Sequence, residues 1–193
     1  LSIRRQRQMC IRDSISKIFV LLFLALAMTA CTGKAPEGPT VSSGDAFPKF
    51  DAVDFKGNPV TSDVFKDSPV TIMSIWFTGC KGCIDEMPTL QKISEELKDK
   101  NVKVMSICLD TYEDKKIKEE AEKIIEAKGV KYPNLAVKPS EEIDNYLKNL
   151  TAFPTTLLIG RDGKIIDNIS VGSQEKIDEL YKKIDEIIAS EGK

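Results

Sequence analysis

The feature that most constrains this fold is an apolar run that leads directly into a pair of cysteines. Residues 70–77 are almost continuously apolar, which is typical of a strand covered on both faces. Cys80 and Cys83 follow at once, and apolar residues at helical spacing come next, at Met87, Leu90, Ile93 and Leu97. The sequence therefore predicts a buried strand, a Cys-x-x-Cys turn and an amphipathic helix in immediate succession.

The same alternation of strand and helix patterns continues to the end of the chain. Strands are predicted at residues 102–109, 134–137, 155–159 and 164–171, and helices at residues 117–125, 143–150 (after Ser140 as N-cap) and 177–188. Arg161, Asp162 and Gly163 form a tight turn in a closing hairpin. This order predicts an α/β fold, a three-layer α/β/α sandwich with a mixed central sheet.

Charge and composition exclude several classes of function. A chain of 193 residues with 41% hydrophobic side chains suits one domain. Without the first thirty residues, 23 basic groups face 29 acidic groups, so we expect no nucleic-acid partner. The absence of histidine removes the commonest general base and transition-metal ligand.

The N-terminus reads as an export signal. Residues 18–30 are apolar with basic residues upstream, which is typical of a signal peptide and too short for the roughly twenty residues of a membrane-spanning helix. The run ends at Ala30-Cys31 and resembles a bacterial lipobox, which predicts lipidation of Cys31; ordinary cleavage beside an incidental cysteine is the alternative. We expect residues 1–30 to be the signal peptide, residues 31–46 a lipidated N-terminus and flexible tether, and residues 47–193 the folded domain.

Part of this leader carries a second pattern. Residues 9–14 (Met-Cys-Ile-Arg-Asp-Ser) resemble a translated adapter from a sequencing library. On that hypothesis residues 1–14 are not native. The interpretation of Lys17 and the apolar run as parts of a signal peptide does not depend on this hypothesis.

The position of the cysteine pair predicts its chemistry. A thiol at a helix N-terminus faces free N–H groups and the positive end of the helix dipole, both of which favour the thiolate. Cys80 is therefore the predicted nucleophile, and Cys83 the thiol that resolves the mixed disulfide. The alternatives are half of a zinc site, for which the mature chain adds only Cys108, and a purely structural disulfide that would close a very short loop.

Taken together, the motifs resemble the TlpA/ResA branch of the thioredoxin superfamily. The resemblance runs from residue 47 to the C-terminus and rests on Trp76, the cysteine pair, Glu86, Pro88 and residues 153–156 (Phe-Pro-Thr-Thr). It implies a thioredoxin-like fold in which residues 111–150 hold the insertion of this branch. Gly79 in place of the usual tryptophan, and the dipeptide Lys81-Gly82, depart from the family pattern.

The resemblance also assigns roles to residues outside the pair. Pro154 would be the cis-proline beside the disulfide, and with Phe153 and Trp76 it would form the substrate-docking surface. Glu86 would handle protons for the two thiols, with a solvated helix glutamate as the alternative. Cys108 lies in a predicted core strand, where we expect an inert thiol rather than a third redox centre.

The implied function is a thiol-disulfide oxidoreductase that is lipid-anchored to the bacterial membrane with its domain on the extracytoplasmic side. It would reduce disulfides of exported proteins and be recharged by a membrane electron donor of the CcdA or DsbD kind. We expect a monomer without metal or cofactor, whose redox group is the Cys80–Cys83 disulfide itself. The alternatives are a thiol oxidant or isomerase on the same scaffold and a binding lipoprotein without redox turnover. A peroxiredoxin is disfavoured because Thr-x-x-Cys is absent at Cys80.

Overall fold

A computed structural model of the protein describes residues 42–191. The predicted signal peptide, the lipidation of Cys31 and most of the predicted tether lie outside these residues. Within them, the last part of the predicted tether is hydrogen-bonded to the domain: the N–H of Gly44 donates to the carbonyl of Ile165 (2.8 Å), and the carbonyl of Asp45 accepts from the N–H of Ile165 (2.8 Å). No helix in this part of the chain is long and apolar enough to cross a bilayer.

Strands and helices alternate along the described chain. The strands are β1 (Asp51–Asp54), β2 (Pro59–Thr61), β3 (Val70–Trp76), β4 (Lys103–Cys108), β5 (Asn134–Val137), β6 (Thr155–Gly160) and β7 (Ile165–Ile169). The α-helices are α1 (Lys81–Glu96), α2 (Lys115–Ala127), α3 (Glu141–Lys148) and α4 (Gln174–Glu191). Short 3-10 turns cover Ser62–Asp67 and Lys98–Lys100.

These strands form one mixed sheet in the order β2-β1-β5-β4-β3-β6-β7. Strands β3, β4 and β5 run parallel, and β6 pairs antiparallel with β3 on its other side. Every residue of β3 is buried, as its continuous apolar sequence predicts for a strand covered on both faces. The central position of β3 places the turn that follows it at the middle of one sheet edge.

One side of the sheet, which we call the helical face, is covered by α1, α2 and α4. Alternation along β3 directs Val70, Ile72 and Trp76 to this side. The helices contribute Cys83, Met87, Leu90, Ile93, Ala121, Leu180 and Ile184 to the same core. Because α1 begins directly after β3, its first turn carries the cysteine pair into the edge of this core.

The opposite side, which we call the aromatic face, is covered by α3 and the segment that leads into β3. Its distinguishing residues are Phe47, Phe50, Phe65 and Tyr146. Their rings meet edge to face, with centroids 5.7 Å apart for Phe47 and Phe65 and 5.2 Å for Phe47 and Tyr146. The aliphatic residues of β3 beneath them are Met73 and Ile75.

The predicted sandwich with a mixed sheet is confirmed, and so is Ser140 as the N-cap of α3, where its hydroxyl accepts from the N–H of Ile143. The hairpin of β1 and β2 was not predicted, because Ala52 is its one fully buried residue. Its turn is held by Asp54, whose carboxylate accepts from the N–H groups of Lys56 and Asn58. Gly57 takes a positive φ of 92° there, which favours glycine.

Candidate active site

The turn between β3 and α1 carries a disulfide between Cys80 and Cys83. Cys80 is the N-cap of α1, and its Sγ accepts a hydrogen bond from the N–H of Cys83 at 3.2 Å. That sulfur therefore occupies the position where a helix N-terminus stabilises negative charge. Cys80 is 8% exposed and Cys83 3%, so Cys80 is the more accessible of two largely covered sulfurs.

Lys81, the residue that follows Cys80, directs its charged group to solvent and to an acidic neighbour. Its side chain is 88% exposed, and its ammonium group contacts the carboxylate of Asp85 one turn along α1. That ammonium group holds the pKa of Asp85 below its ordinary value. Because the positive charge is paired and solvated, the helix N-terminus is the stronger influence on Cys80.

Glu86 lies one turn after Cys83 on α1, close to the face that carries the pair. The residue is half-buried, and this burial raises the pKa of its carboxyl group above the ordinary glutamate value. The loop after β7 lies against it: a Cβ added to Gly172 would be 3.7 Å from Oε1 of Glu86. A carboxyl group with a raised pKa can hold and release a proton near neutral pH more readily than a solvated glutamate.

Pro154 lies directly against the cysteine turn. The Phe153–Pro154 peptide bond is cis, as the resemblance implied. A Cβ added to Gly82 would be 3.5 Å from Cδ of Pro154, so the residue between the cysteines abuts the proline ring. A groove of about 510 Å³ opens beside Pro154 between the end of β7 and α4, and is lined in part by Ile169, Lys176 and Leu180.

An aromatic pair lies beside the turn. The rings of Phe77 and Phe153 meet edge to face with centroids 5.4 Å apart, and both are partly exposed. Phe77 also lies close to Gly79: a Cβ at position 79 would be 3.3 Å from Cε2 of that ring, a tight contact that would require the ring to shift slightly. Sequence analysis identified Phe153 as a site residue but not Phe77. The pattern that could have indicated Phe77 is a large aromatic residue two positions before a glycine.

Trp76 was placed on the docking surface by the resemblance, and the structure corrects this. Its side chain is 1% exposed and packs in the core of the helical face. As the last residue of β3 on the helical face, it lies in the same core cluster as Cys80 and Cys83. Phe77, the next residue, faces the surface that Trp76 was expected to form.

Cys108 is a free, buried thiol at the end of β4. Burial raises its pKa far above the ordinary thiol value, and a hydrogen bond to Asp110 adds to the shift. The expected core position of Cys108 is confirmed, and because a thiol held in its neutral form is a poor nucleophile, an inert role stays our prediction. Within residues 42–191, no cluster of three or more acidic, histidine or cysteine side chains could hold a metal ion.

Comparison with known proteins agrees with this geometry. A family model described as the AhpC/TSA family matches residues 43–168. The thiol-disulfide oxidoreductase ResA of Bacillus thuringiensis subsp. konkukian (strain 97-27) is 29% identical over 172 residues, which cover 87% of this chain and 94% of that protein. The thioredoxin-like protein YneN of Bacillus subtilis (strain 168) is 26% identical over 145 residues, 75% of this chain and 80% of that protein.

Solved structures give the same assignment. The thioredoxin domain of a thiol-disulfide oxidoreductase from Bacteroides vulgatus superposes with a TM-score of 0.63 and 25% identity, and the match covers 77% of this chain and 99% of that one. The predicted thioredoxin-like fold is thus confirmed. The cysteine turn, the helix N-terminus and these relatives all point to exchange between thiols and disulfides.

Proposed function

Because this chain belongs to the AhpC/TSA family and is a thiol-disulfide oxidoreductase, we propose that it reduces disulfides of exported proteins on the extracytoplasmic side of a bacterial membrane. The observation that carries the proposal is the Cys80–Cys83 disulfide at the N-terminus of α1, with Cys80 as the cap and Pro154 against the turn. A cysteine in that position is activated as a thiolate, and its neighbour is placed to complete the exchange.

The reaction proceeds in two exchanges. The Cys80 thiolate attacks one sulfur of a substrate disulfide; that S–S bond breaks, a mixed disulfide forms on Cys80, and the other substrate sulfur leaves as a thiolate. Cys83 then attacks Cys80, which closes the Cys80–Cys83 disulfide and releases the second substrate thiol. Two electrons pass to the substrate, and Glu86 accepts the proton that Cys83 loses before it attacks. The disulfide seen here is the product of this cycle.

Two features of the turn support reduction rather than oxidation. Lys81 and Gly82 separate the cysteines, so no histidine is present to stabilise the reduced thiolate as in strongly oxidising relatives. The Glu86 carboxylate, when charged, opposes the thiolate by like-charge repulsion. Both make the reduced pair less stable and thus a better electron donor.

The potential of the Cys80–Cys83 pair tests the direction. After equilibration of the purified domain with dithiothreitol or glutathione buffers, we expect a value nearer thioredoxin's, about -270 mV, than the roughly -120 mV of a strong oxidant. A value at the oxidising end would assign the oxidant role and leave the site intact. No reversible redox change at all would favour a binding protein without turnover.

A trapping variant tests the substrate class. Cys83→Ser removes the resolving thiol, so its substrates should remain attached to Cys80 through a mixed disulfide that reducing agents release. The matched control is the double variant with Cys80→Ser as well, which should trap nothing. Trapping by the double variant would show that Cys80 is not the attacking residue.

The same proposal includes a lipid anchor at Cys31 and recharging by a membrane electron donor of the CcdA or DsbD kind. The lipid anchor is supported by the short apolar run that ends in Ala30-Cys31. In a bacterium that processes lipoproteins, Cys31→Ala should release the domain from the membrane or leave the signal uncleaved. Normal cleavage with unchanged membrane retention would contradict the anchor.

A further inference from the structure

One carboxylate lies behind the cysteine turn and takes no part in the proposed cycle. Asp110 follows the end of β4 by two residues and is partly buried. Its Oδ2 accepts hydrogen bonds from both donors of Thr78, the backbone N–H at 3.1 Å and the hydroxyl at 2.6 Å. Its Oδ1 accepts from Sγ of Cys108 at 3.2 Å.

These contacts act on the segment that leads from β3 to Cys80. At its start, the carbonyl of Trp76 accepts from the N–H of Leu109 at 2.9 Å. At its end, the N–H of Cys80 donates to the carbonyl of Phe77 at 2.9 Å. Thr78 lies between these two fixed points, and its own N–H and hydroxyl both go to Asp110. Asp110 therefore holds the middle of the four-residue path from the buried strand to the nucleophile.

We propose that Asp110 is a positioning residue of the redox site, which fixes Thr78 and through it the location of Cys80, and places a carboxyl group beside the turn that carries the pair. The inference rests on the proposed role of Cys80 as nucleophile. Hydrogen bonds to a carboxylate are roughly twice as strong as neutral ones, so the loop is held firmly. Because Thr78 is only two residues from Cys80, we expect the carboxyl group that binds it to influence the ionisation of that thiol.

The two effects of Asp110 can be separated by substitution. Thr78→Val removes the hydroxyl donor but keeps the backbone hydrogen bond and the charge, so it loosens the loop alone. Asp110→Asn keeps an acceptor oxygen for Thr78 but removes the charge, so it should mainly alter the ionisation of Cys80. Glu113→Gln is the matched control, since it removes one exposed negative charge from the same loop without contacting Thr78.

The measurement is the rate of alkylation of Cys80 in the reduced full domain as a function of pH, followed by mass spectrometry of the labelled peptide. For Asp110→Asn we expect the apparent pKa of Cys80 to fall and the thiolate fraction below that pKa to rise about three- to tenfold, because a like charge has gone. For Thr78→Val we expect an unchanged pKa, with the rate of disulfide reduction at full ionisation down about threefold to tenfold and restored by Thr78→Ser. Glu113→Gln should leave both quantities near those of the wild type.

The inference fails if Asp110→Asn and Thr78→Val both match the wild type in pKa and rate while alkylation and turnover still depend on Cys80. It also fails if Glu113→Gln shifts the pKa of Cys80 as much as Asp110→Asn does, because the effect would then be general surface charge. Loss of activity in Cys80→Ser is expected in every case. If Cys80→Ser kept its activity, the proposed function would fail instead.

Discussion

The two faces of the sheet differ in the kind of group that they bury. The aromatic face is closed by rings in edge-to-face contact around Phe47, and the core cluster of described residues there contains no cysteine. The helical face is closed largely by aliphatic side chains, and at one end its cluster takes in both cysteines of the disulfide. Glu86 and Asp110 border that end.

This difference indicates that stability and reactivity are carried by different parts of the molecule. Substitutions on the aromatic face should change the free energy of unfolding and leave the redox properties alone. Substitutions at the cysteine end of the helical face should mainly change the redox properties, since the cysteines are small side chains at the edge of that core. The sheet lies between the two faces, and its central strand β3 contributes buried side chains to both.

The largest difference between the effect on activity and the effect on stability is expected for Cys80→Ser. Disulfide reduction should fall to background, because the hydroxyl is not ionised at neutral pH and cannot replace the thiolate. Because serine is a good N-cap, the free energy of unfolding of the variant should stay within about 1 kcal/mol of that of the reduced wild type. Denaturant unfolding under reducing conditions and an insulin-type turnover assay measure the two quantities. A large loss of stability would break the separation of the faces.

The next effect comes from the aromatic face. Phe65 is 2% exposed and contacts the rings of Phe47 and Phe50. Phe65→Ala should lower the free energy of unfolding by about 3 to 5 kcal/mol, with the potential of the cysteine pair unchanged. If that variant does not fold, Phe65→Leu should, at a cost below about 2 kcal/mol. A shift in potential in a folded variant would argue against independent faces.

A smaller effect on rate is expected for Glu86→Gln. Removing the carboxylate should lower the apparent pKa of the thiols and slow turnover about tenfold, since Cys83 loses its proton acceptor. Stopped-flow reduction of a disulfide substrate across pH measures both. Faster turnover than the wild type at neutral pH would show that the charge hinders the cycle more than the base assists it.

The same substitution makes a prediction for stability with a definite sign. Burial raises the pKa of Glu86, so the protonated form favours the folded state. That contribution is present below the unfolded glutamate pKa of about 4.3 and is lost as pH rises through the folded value. Glu86→Gln should therefore match the wild type in stability at low pH and equal or exceed it at pH 7, as urea unfolding at the two pH values would reveal.

The smallest effect is expected far from both cores. Lys100 contacts Asp185 of α4 through exposed side chains. Lys100→Ala should cost less than about 1 kcal/mol, because exposed ion pairs are solvated and screened. Thermal unfolding at low and at 0.5 M salt should differ little between variant and wild type. A cost as large as that of Phe65→Ala would overturn the ranking of core over surface.

Local sequence patterns predicted most of the architecture. The apolar run before Cys80 identified the central strand, and helical spacing after Cys83 identified α1 despite Pro88 within it. Hydrophobic periodicity worked in these places because the segments are covered on one or both faces. It failed for β1 and β2, where exposed residues such as Asp51 and Pro59 carry no such pattern.

From residue spacing alone, the site was predictable only where its residues are neighbours in the chain, whereas Pro154 was expected from the resemblance. Cys80, Cys83 and Glu86 share one helix, so their proximity follows from spacing alone. The bond between Thr78 and Asp110 spans 32 residues and depends on how the ends of β3 and β4 align. Trp76 was assigned to the surface because a resemblance gives position but not the direction of a side chain; the pleat of β3 turns it inward.

The contact between Phe77 and Gly79 makes these two positions dependent on each other in evolution and in engineering. A side chain at position 79 requires the ring of Phe77, which already contacts Phe153, to move by a few tenths of an ångström. On a path towards the tryptophan that the resemblance leads us to expect at this position, Phe77→Ala should therefore make Gly79→Trp easier. Taken in reverse, the first step should carry a penalty that the second step removes. Such sign-dependent epistasis would keep this pair of residues together among its descendants.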